Sequence, residues 1–425
     1  MKPLNILYIV PYVPNLIRVR PYNLIRSLAE RGHCVTVATL YGSEHERKDA
    51  EELRQYVTGV QAYPITLARS LTNAVLAIPR RVPFQSVYAW SPAFAQALVE
   101  LAARENGKAF DVVHVEHLRG AHYGLHLKRA LRSGTCPPVI WDSVDCITLL
   151  FRQAASGSKS LPKRLLTRLD LARTEMYEGW LARQFDHVAV TSHLDQKALA
   201  ALMPSGSPIS SISVLPNGVD LDYFTPNTGV ARDPATLVIS GKMSYHANVT
   251  MTLNLIENIM PIIWARRPDT RVIVVGKDPT REIQALAQNP NIEVTGTVDD
   301  IRPYLYRATA AVTPITYGTG IQNKVLEAMA CATPVVSTPQ AVSALRVAPG
   351  RDVLVAQEPL AFAEAVLGLL NDPQRQSEIG QAGRMYVESH HRWPEIAGQL
   401  EKIYQDAILR TQSAQSEDDW KGDLS

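Results

Sequence analysis

Cysteine is scarce and unpatterned in this sequence. The four cysteines, Cys34, Cys136, Cys146 and Cys331, show no CxxC spacing, which excludes a zinc ribbon or a disulfide framework as the organising device and fits a reducing cytoplasm. Long apolar runs are absent too. The opening run, Ile6 to Val10, is closed by Pro11 after five residues, far short of a signal-peptide core or a membrane span. A soluble or peripherally attached cytoplasmic protein is expected. Charge imbalance is equally slight: a formal net charge of +2 over 425 residues gives no reason to expect a nucleic-acid partner.

What is present is apolar material for sizeable cores, 46% of residues against 20% charged. A chain of this length exceeds one ordinary core, so two α/β domains are expected. Short apolar runs alternate with helix-patterned segments, the mark of parallel sheets built from strand-helix-strand units. One series comprises Ile6–Val10, Val35–Leu40, Val112–Val115, Val139–Trp141 and Val188–Thr191. A second comprises Leu237–Ser240, Val272–Val275, Ile292–Thr295, Ala310–Pro314 and Pro334–Ser337. Between them, Pro226 to Pro234 has the composition of a linker. The expected organisation is a first domain over 1–225, a second over 226–390, a closing helix over 391–412 and a frayed tail over 413–425.

The most informative stretch, Pro314 to Val336, reads PITYGTGIQNKVLEAMACATPVV. It is a strand end, a glycine-rich loop, a helix and another strand. Gly318 and Gly320 let the backbone approach a ligand, and a helix beginning near Ile321 would offer free N–H groups to an anion. Lys324 adds a full charge and Glu327 follows at i+3, a carboxylate able to accept from two vicinal hydroxyls. That spacing suits a diphosphate beside a ribose; the alternative is a solvated i,i+3 salt pair.

The run VLEAMACATPVV resembles the LEAMACGTPVV signature of retaining family-four glycosyltransferases. Leu215-Pro216-Asn217-Gly218-Val219-Asp220 followed by Phe224-Thr225-Pro226 is similar to that family's PNGVD..FxP segment. Asn5-Ile6-Leu7, the Arg31–Val37 run RGHCVTV and Val294-Thr295-Gly296-Thr297-Val298-Asp299-Asp300 resemble three further motifs, in the same order. The resemblance implies a GT-B fold: two facing Rossmann-like doubly wound domains, an interdomain cleft, and a C-terminal helix returning to the first domain. It further implies a nucleotide diphosphate sugar, with UDP or GDP as its nucleotide, as donor, and transfer with retention to an acceptor hydroxyl. No metal or other cofactor would be required. Glycolipid, exopolysaccharide or other glycoconjugate synthesis is the expected setting, and the acceptor a carbohydrate or a lipid-linked compound. On the donor side the matching positions are Gly241, Gly276, Asn217, Gly318, Thr319, Gly320, Ile321, Gln322 and Glu327, with Lys242 and Lys324 as the cations stabilising the departing diphosphate.

The sequence departs from the commonest family pattern at several of these. Thr319 stands where the first of two glutamates is usual, and Lys242 and Ala247 stand where an arginine and a lysine are. Lys324 restores the lost cation, as in the subset with a GTGxxxKxLEAMA loop. Ala332 replaces a glycine after the helix, at a cost of about 1 kcal/mol if the conformation is left-handed. A nucleotide-sugar 2-epimerase and a non-catalytic nucleotide-sugar binding module remain as alternatives, and a phosphorylase ranks behind them for want of a pyridoxal-binding lysine pattern.

For the acceptor side, strand ends of the first domain supply the candidates. Glu116 stands where many relatives carry an active-site histidine, and His117 follows it. His114 reads as core, and a zinc site of His114, His117 and His122 is disfavoured by scattered geometry. Asp142 and Asp145 are cleft residues or turn caps, and Ser192 a helix N-cap. Arg18 and Arg20, in an opening loop over Pro11–Asn23, either meet an anionic acceptor or the donor phosphates, or are solvated. Lys159, Lys163, Arg164, Arg168 and Arg173 lie among leucines. They form a basic amphipathic stretch that suits either an ordinary solvated helix or an anionic membrane surface at the inner face of the membrane.

Overall fold

The structure is a computed structural model that describes residues 2–80, 82–103, 110–131, 136–157, 161–204, 212–318 and 320–422, with side chains described outside 154–169 and 414–422. The chain divides into two compact units, residues 1–216 with 393–425, and residues 217–392.

The first unit is built on a seven-stranded parallel sheet in the order β3-β2-β1-β4-β5-β6-β7. Its strands are β1 (Asn5–Val10), β2 (Cys34–Tyr41), β3 (Gly59–Pro64), β4 (Val112–Glu116), β5 (Val139–Val144), β6 (His187–Val190) and β7 (Ile212–Val214). The central strands are buried on both faces, which explains their near-continuous apolar sequences. The second unit has six parallel strands in the order β10-β9-β8-β11-β12-β13. These are β8 (Thr236–Ser240), β9 (Arg271–Val275), β10 (Ile292–Gly296), β11 (Ala310–Thr313), β12 (Val335–Ser337) and β13 (Leu354–Val355). In each sheet the strand order reverses once, between β1 and β4 and between β8 and β11. The crevice outside the carboxyl ends of the strands at such a switch point is where open α/β sheets bind ligands.

Three expected boundaries shift. Residues 217–225 go with the second unit, because Val219 pairs with Arg392 and the Asn217 amide donates to Asn323 at 3.2 Å. The last helix, Trp393–Gly422, continues through most of the stretch read as a frayed tail. It belongs to the first unit: Trp393, Ile396, Leu400, Ile403 and Tyr404 are buried with Leu24, Ile25 and Leu28. Glu401 on this helix is held by Arg31 and by His33 at 2.7 Å. The RGH triplet thus fastens the chain's end to the unit that holds its start. Finally, the opening loop is shorter than expected, since a helix covers Val19–Glu30 with Pro21 in its first turn, where proline's missing N–H costs nothing.

Candidate functional site

In the second unit, the carboxyl ends of β8 and β9 come very close. A Cβ on Gly276 would lie 1.7 Å from the Gly241 carbonyl oxygen, and one on Gly241 would lie 2.6 Å from the Asn248 amide. Both glycines have strongly positive φ, +147° and +150°, so glycine is required here for conformation as well as for space. Lys242 follows directly, half exposed and 3.6 Å from Asp278.

After β11 the chain runs through Gly318 and Gly320, with φ +154° and +70°, to a helix over Asn323–Ala330. Its start is two residues later than expected. Gln322 is its N-cap residue and makes no side-chain capping bond, while Ile321 is buried. Gly318 is tied down through its carbonyl, which accepts from Gln340. Thr319 lies outside the described residues.

Lys324 is the second residue of this helix, so its ammonium adds to the positive helix end. The ammonium donates to the Asn248 side-chain oxygen at 2.8 Å rather than pairing with Glu327. Asn248 in turn donates to the Lys242 carbonyl at 3.0 Å, so one buried amide links the two lysine segments. Burial pushes the Lys324 ammonium down to about 8, against the opposing pull of Glu327. Glu327 is half-buried and, among the described residues, its carboxylate has no hydrogen-bond partner; burial pushes it up to about 7, with Lys324 opposing. A cation and a carboxylate, not joined to each other by a hydrogen bond or ion pair, stand at the switch point of this sheet. Asn217 reaches the same helix start through Asn323, and its carbonyl meets His391 at 2.7 Å.

Asn248 was not singled out by the sequence reading, and neither was the contact of His246 with the Tyr317 hydroxyl. The displaced cation at 247 was the available signal for Asn248, since something next to it has to position Lys324. Ala332 does adopt a left-handed conformation, φ +54°, where its carbonyl accepts from Arg232 at 2.7 Å.

At the switch point of the first unit the groups are turned inward. Glu116, the last residue of β4, is 1% exposed and accepts from the hydroxyls of Tyr8 at 2.8 Å and Tyr12 at 2.7 Å. Burial and then the nearby Asp142 charge hold its carboxyl above the ordinary carboxylate range. Arg20 is neither a solvated loop charge nor a cation open to an acceptor. It is 4% exposed, with Nη2 at 2.7 Å from Asp142 and Nη1 at 3.2 Å from the Pro216 carbonyl. His114 is core as expected, stacked on Tyr8 with centroids 4.1 Å apart. Arg18 remains partly exposed, paired with Glu46 at 3.0 Å and lying over the Tyr12 ring.

Two backbone features mark this edge. His117 has φ +64° and Val144 φ +67°, one just after β4 and one at the end of β5. Such values in a β-branched residue are strained and persist only where the surroundings over-determine them. At Val144 the surroundings are visible: its N–H donates to the Asp142 carboxylate at 3.1 Å, and the Asp145 N–H reaches back to the Ser143 carbonyl at 2.9 Å. The turn aims half-buried Asp145 toward Thr191, 3.3 Å away, and burial lifts Asp145 to about 7. His117 is half-buried, and burial pushes its imidazole down to about 3, so it stays neutral. Ser192 caps the helix His193–Ala201 as expected. Among the described residues no group of three or more His, Cys, Asp or Glu side chains could hold a metal ion. Of the basic stretch, the side chains from Lys159 to Arg168 lie outside the described residues.

Known proteins resemble the chain in sequence and in fold. A family model described as "Glycosyltransferase Family 4" matches residues 18–223, and one described as "Glycosyl transferases group 1" matches 234–372. A GDP-mannose-dependent monoacylated alpha-(1-6)-phosphatidylinositol monomannoside mannosyltransferase of Corynebacterium glutamicum is 26% identical over 238 residues, covering 51% of this chain and 62% of that protein. The matches to the first three curated relatives span 54–62% of their length. A glycogen synthase of Mycobacterium tuberculosis is 23% identical over 90% of this chain and 89% of its own. Among solved structures, HepE of Anabaena in complex with UDP and glucose superposes with a TM-score of 0.67 at 14% identity, over 95% of this chain and 100% of that one. Sucrose-phosphate synthase of Thermosynechococcus elongatus gives 0.69 at 18%, over 96% and 100%. With one family model on each sheet, two Rossmann-like units in the matching order and solved structures of the same fold, the chain belongs among the GT-B glycosyltransferases.

Proposed function

We propose that the protein is a retaining, metal-independent glycosyltransferase that moves a sugar from a nucleotide diphosphate sugar to a hydroxyl of a carbohydrate or lipid-linked acceptor. The acceptor is met in the cytoplasm or at an anionic membrane surface. The observation that carries the reading is the pairing of Lys324, held by Asn248 at a helix start, with an unpartnered Glu327 one turn on. The helix start, Lys324 and Lys242 receive the diphosphate oxygens, and Glu327 accepts from the ribose hydroxyls. Gly241 and Gly276 let the ends of β8 and β9 close on each other and on Asn248, the amide that holds Lys324.

In the reaction the bond from the anomeric carbon to the diphosphate oxygen breaks, and one from the acceptor oxygen forms on the same face. The acceptor proton passes to the departing phosphate. Charge therefore builds on that phosphate, and pre-placed cations stabilise it without reorganising. Glu116 and His117, behind Tyr12, and Asp145 shape the acceptor side, with Arg18 the described cation of the opening segment that keeps partial exposure.

A thermal-unfolding panel with UDP, GDP, dTDP and ADP tests the donor reading. One nucleotide should stabilise the protein by about 2.7 kcal/mol at 100 times its dissociation constant. No stabilisation by any of the four would overturn it. Interconversion of a nucleotide sugar without any acceptor would move the activity to an epimerase.

A further inference from the structure

The helix Leu67–Ala77 is inside out. Its buried residues are Ser70, Asn73 and Ala77, and Asn73 is fixed by donating to the Trp90 carbonyl at 2.8 Å. Its leucines face away from the core: Leu67, Leu71 and Val75, spaced i, i+4, i+8, are 67%, 54% and 62% exposed, and Leu76 and Ile78 are 55% and 56% exposed. An apolar stripe of that length on one helix is more than the scattered exposed hydrophobes of an ordinary surface.

The stripe continues onto a second element. Arg173, on the helix Leu161–Leu181, donates to the Ile78 carbonyl at 2.9 Å and lies over the Phe84 ring, which joins the two helices. One turn further on, exposed Met176 and Trp180 border an open groove of about 400 Å³ lined also by Val82, Leu125, Tyr177 and Arg129.

The surrounding charge is predominantly positive: of the acidic groups on the second helix, Asp170 accepts from the Phe84 N–H at 3.3 Å and Glu175 is paired with Arg152 at 2.9 Å. From Leu53 to Val99 the sequence contains no aspartate or glutamate and four arginines, Arg54, Arg69, Arg80 and Arg81; from Cys146 to Leu169 it contains none either, with five lysines and arginines. Arg69, Arg80 and Arg129 are exposed.

We propose that this face, the outward stripe of the helix Leu67–Ala77 with the adjoining groove, docks the protein on an anionic lipid bilayer. An apolar stripe flanked by cations buries its hydrocarbon at the level of the acyl chains while the arginines meet the headgroup charge. A second copy of the chain is a poorer occupant, because a face-to-face pairing would set arginine against arginine. The docking adds to the transferase reading the place where a lipid-linked acceptor is met, and it stands or falls separately from it.

Flotation of the full chain with vesicles tests it. The protein should rise with vesicles of equal parts phosphatidylcholine and phosphatidylglycerol, and not with phosphatidylcholine alone. The double variant Leu71→Glu/Val75→Glu should weaken binding at least about tenfold, and Arg69→Glu/Arg80→Glu should weaken it and reduce its salt dependence. Nucleotide-induced thermal stabilisation, unchanged in both variants, shows that they fold. The proposal is overturned if the wild type ignores anionic vesicles, if the folded Leu71/Val75 variant binds them equally, or if that variant instead dissolves a dimer seen by sedimentation. Nucleotide binding that persists in any of these cases leaves the transferase reading intact.

Discussion

At the switch point of the first unit the buried charges close on partners within the fold, Arg20 on Asp142 and Glu116 on two tyrosine hydroxyls. At that of the second, Lys324 rests on a neutral amide and Glu327 has no partner among the described residues. The same topology therefore serves two ends. Where charges satisfy one another the strand ends need no further partner, and where they do not, the proposed function supplies the missing partner as a ligand. A buried, self-compensated pair costs desolvation and returns little net stability, yet breaking it strands a charge; a charge awaiting a ligand can be removed with little harm to folding.

The first and largest test of this contrast is Arg20→Ala. It leaves Asp142 buried without its cation and should cost about 3–5 kcal/mol of stability, read as a fall in the urea midpoint. Replacing both partners, Arg20→Met with Asp142→Leu, should recover most of that loss. A single mutant as stable as the wild type would show that Arg20 is not the compensated scaffold charge described above.

Lys324→Ala is the counterpart in the second unit. Turnover should fall roughly 100-fold or more, equivalent to about 2.7 kcal/mol of transition-state stabilisation, with the unfolding midpoint nearly unchanged. Near-normal turnover would remove Lys324 from the chemistry, and a large loss of stability would assign it to the scaffold.

How much of this was readable beforehand follows the same division. The central strands announced themselves as apolar runs, but β3 and β13 were missed. Both lie at sheet edges; β3 carries exposed Gln61 and ends on Pro64, and β13 is two residues long. β5 was cut short at Trp141 because Asp142 and Ser143 look like loop. Both are fully buried, and what lets Asp142 stay in a strand is an arginine 122 residues away in sequence, which no local pattern reports. Donor-side residues were legible because glycine spacing and a helix start are local features. Arg20 and Glu116 were named as site residues but not as buried, since burial of a charge depends on tertiary partners.

The smallest expected effect is the most discriminating, because it reads the protonation states themselves. With Glu327 lifted to about 7 and Lys324 lowered to about 8, kcat/KM should rise as pH passes 7, when the carboxylate forms, and fall above 8, when the ammonium is lost. Glu327→Gln, which cannot ionise, should flatten the acid limb while lowering kcat/KM several-fold at pH 8. Stability runs the other way. A carboxyl whose folded value is raised from 4.5 to about 7 stabilises the fold fully below 4.5, and that contribution is lost as pH rises through 7. The unliganded wild type should therefore lose stability relative to Glu327→Gln between these values, and saturating nucleotide should reverse the trend by giving the carboxylate hydroxyl donors. If the acid limb persists unchanged in Glu327→Gln, another buried carboxyl with a raised value governs it, and Asp145 of the first unit is the one to substitute next.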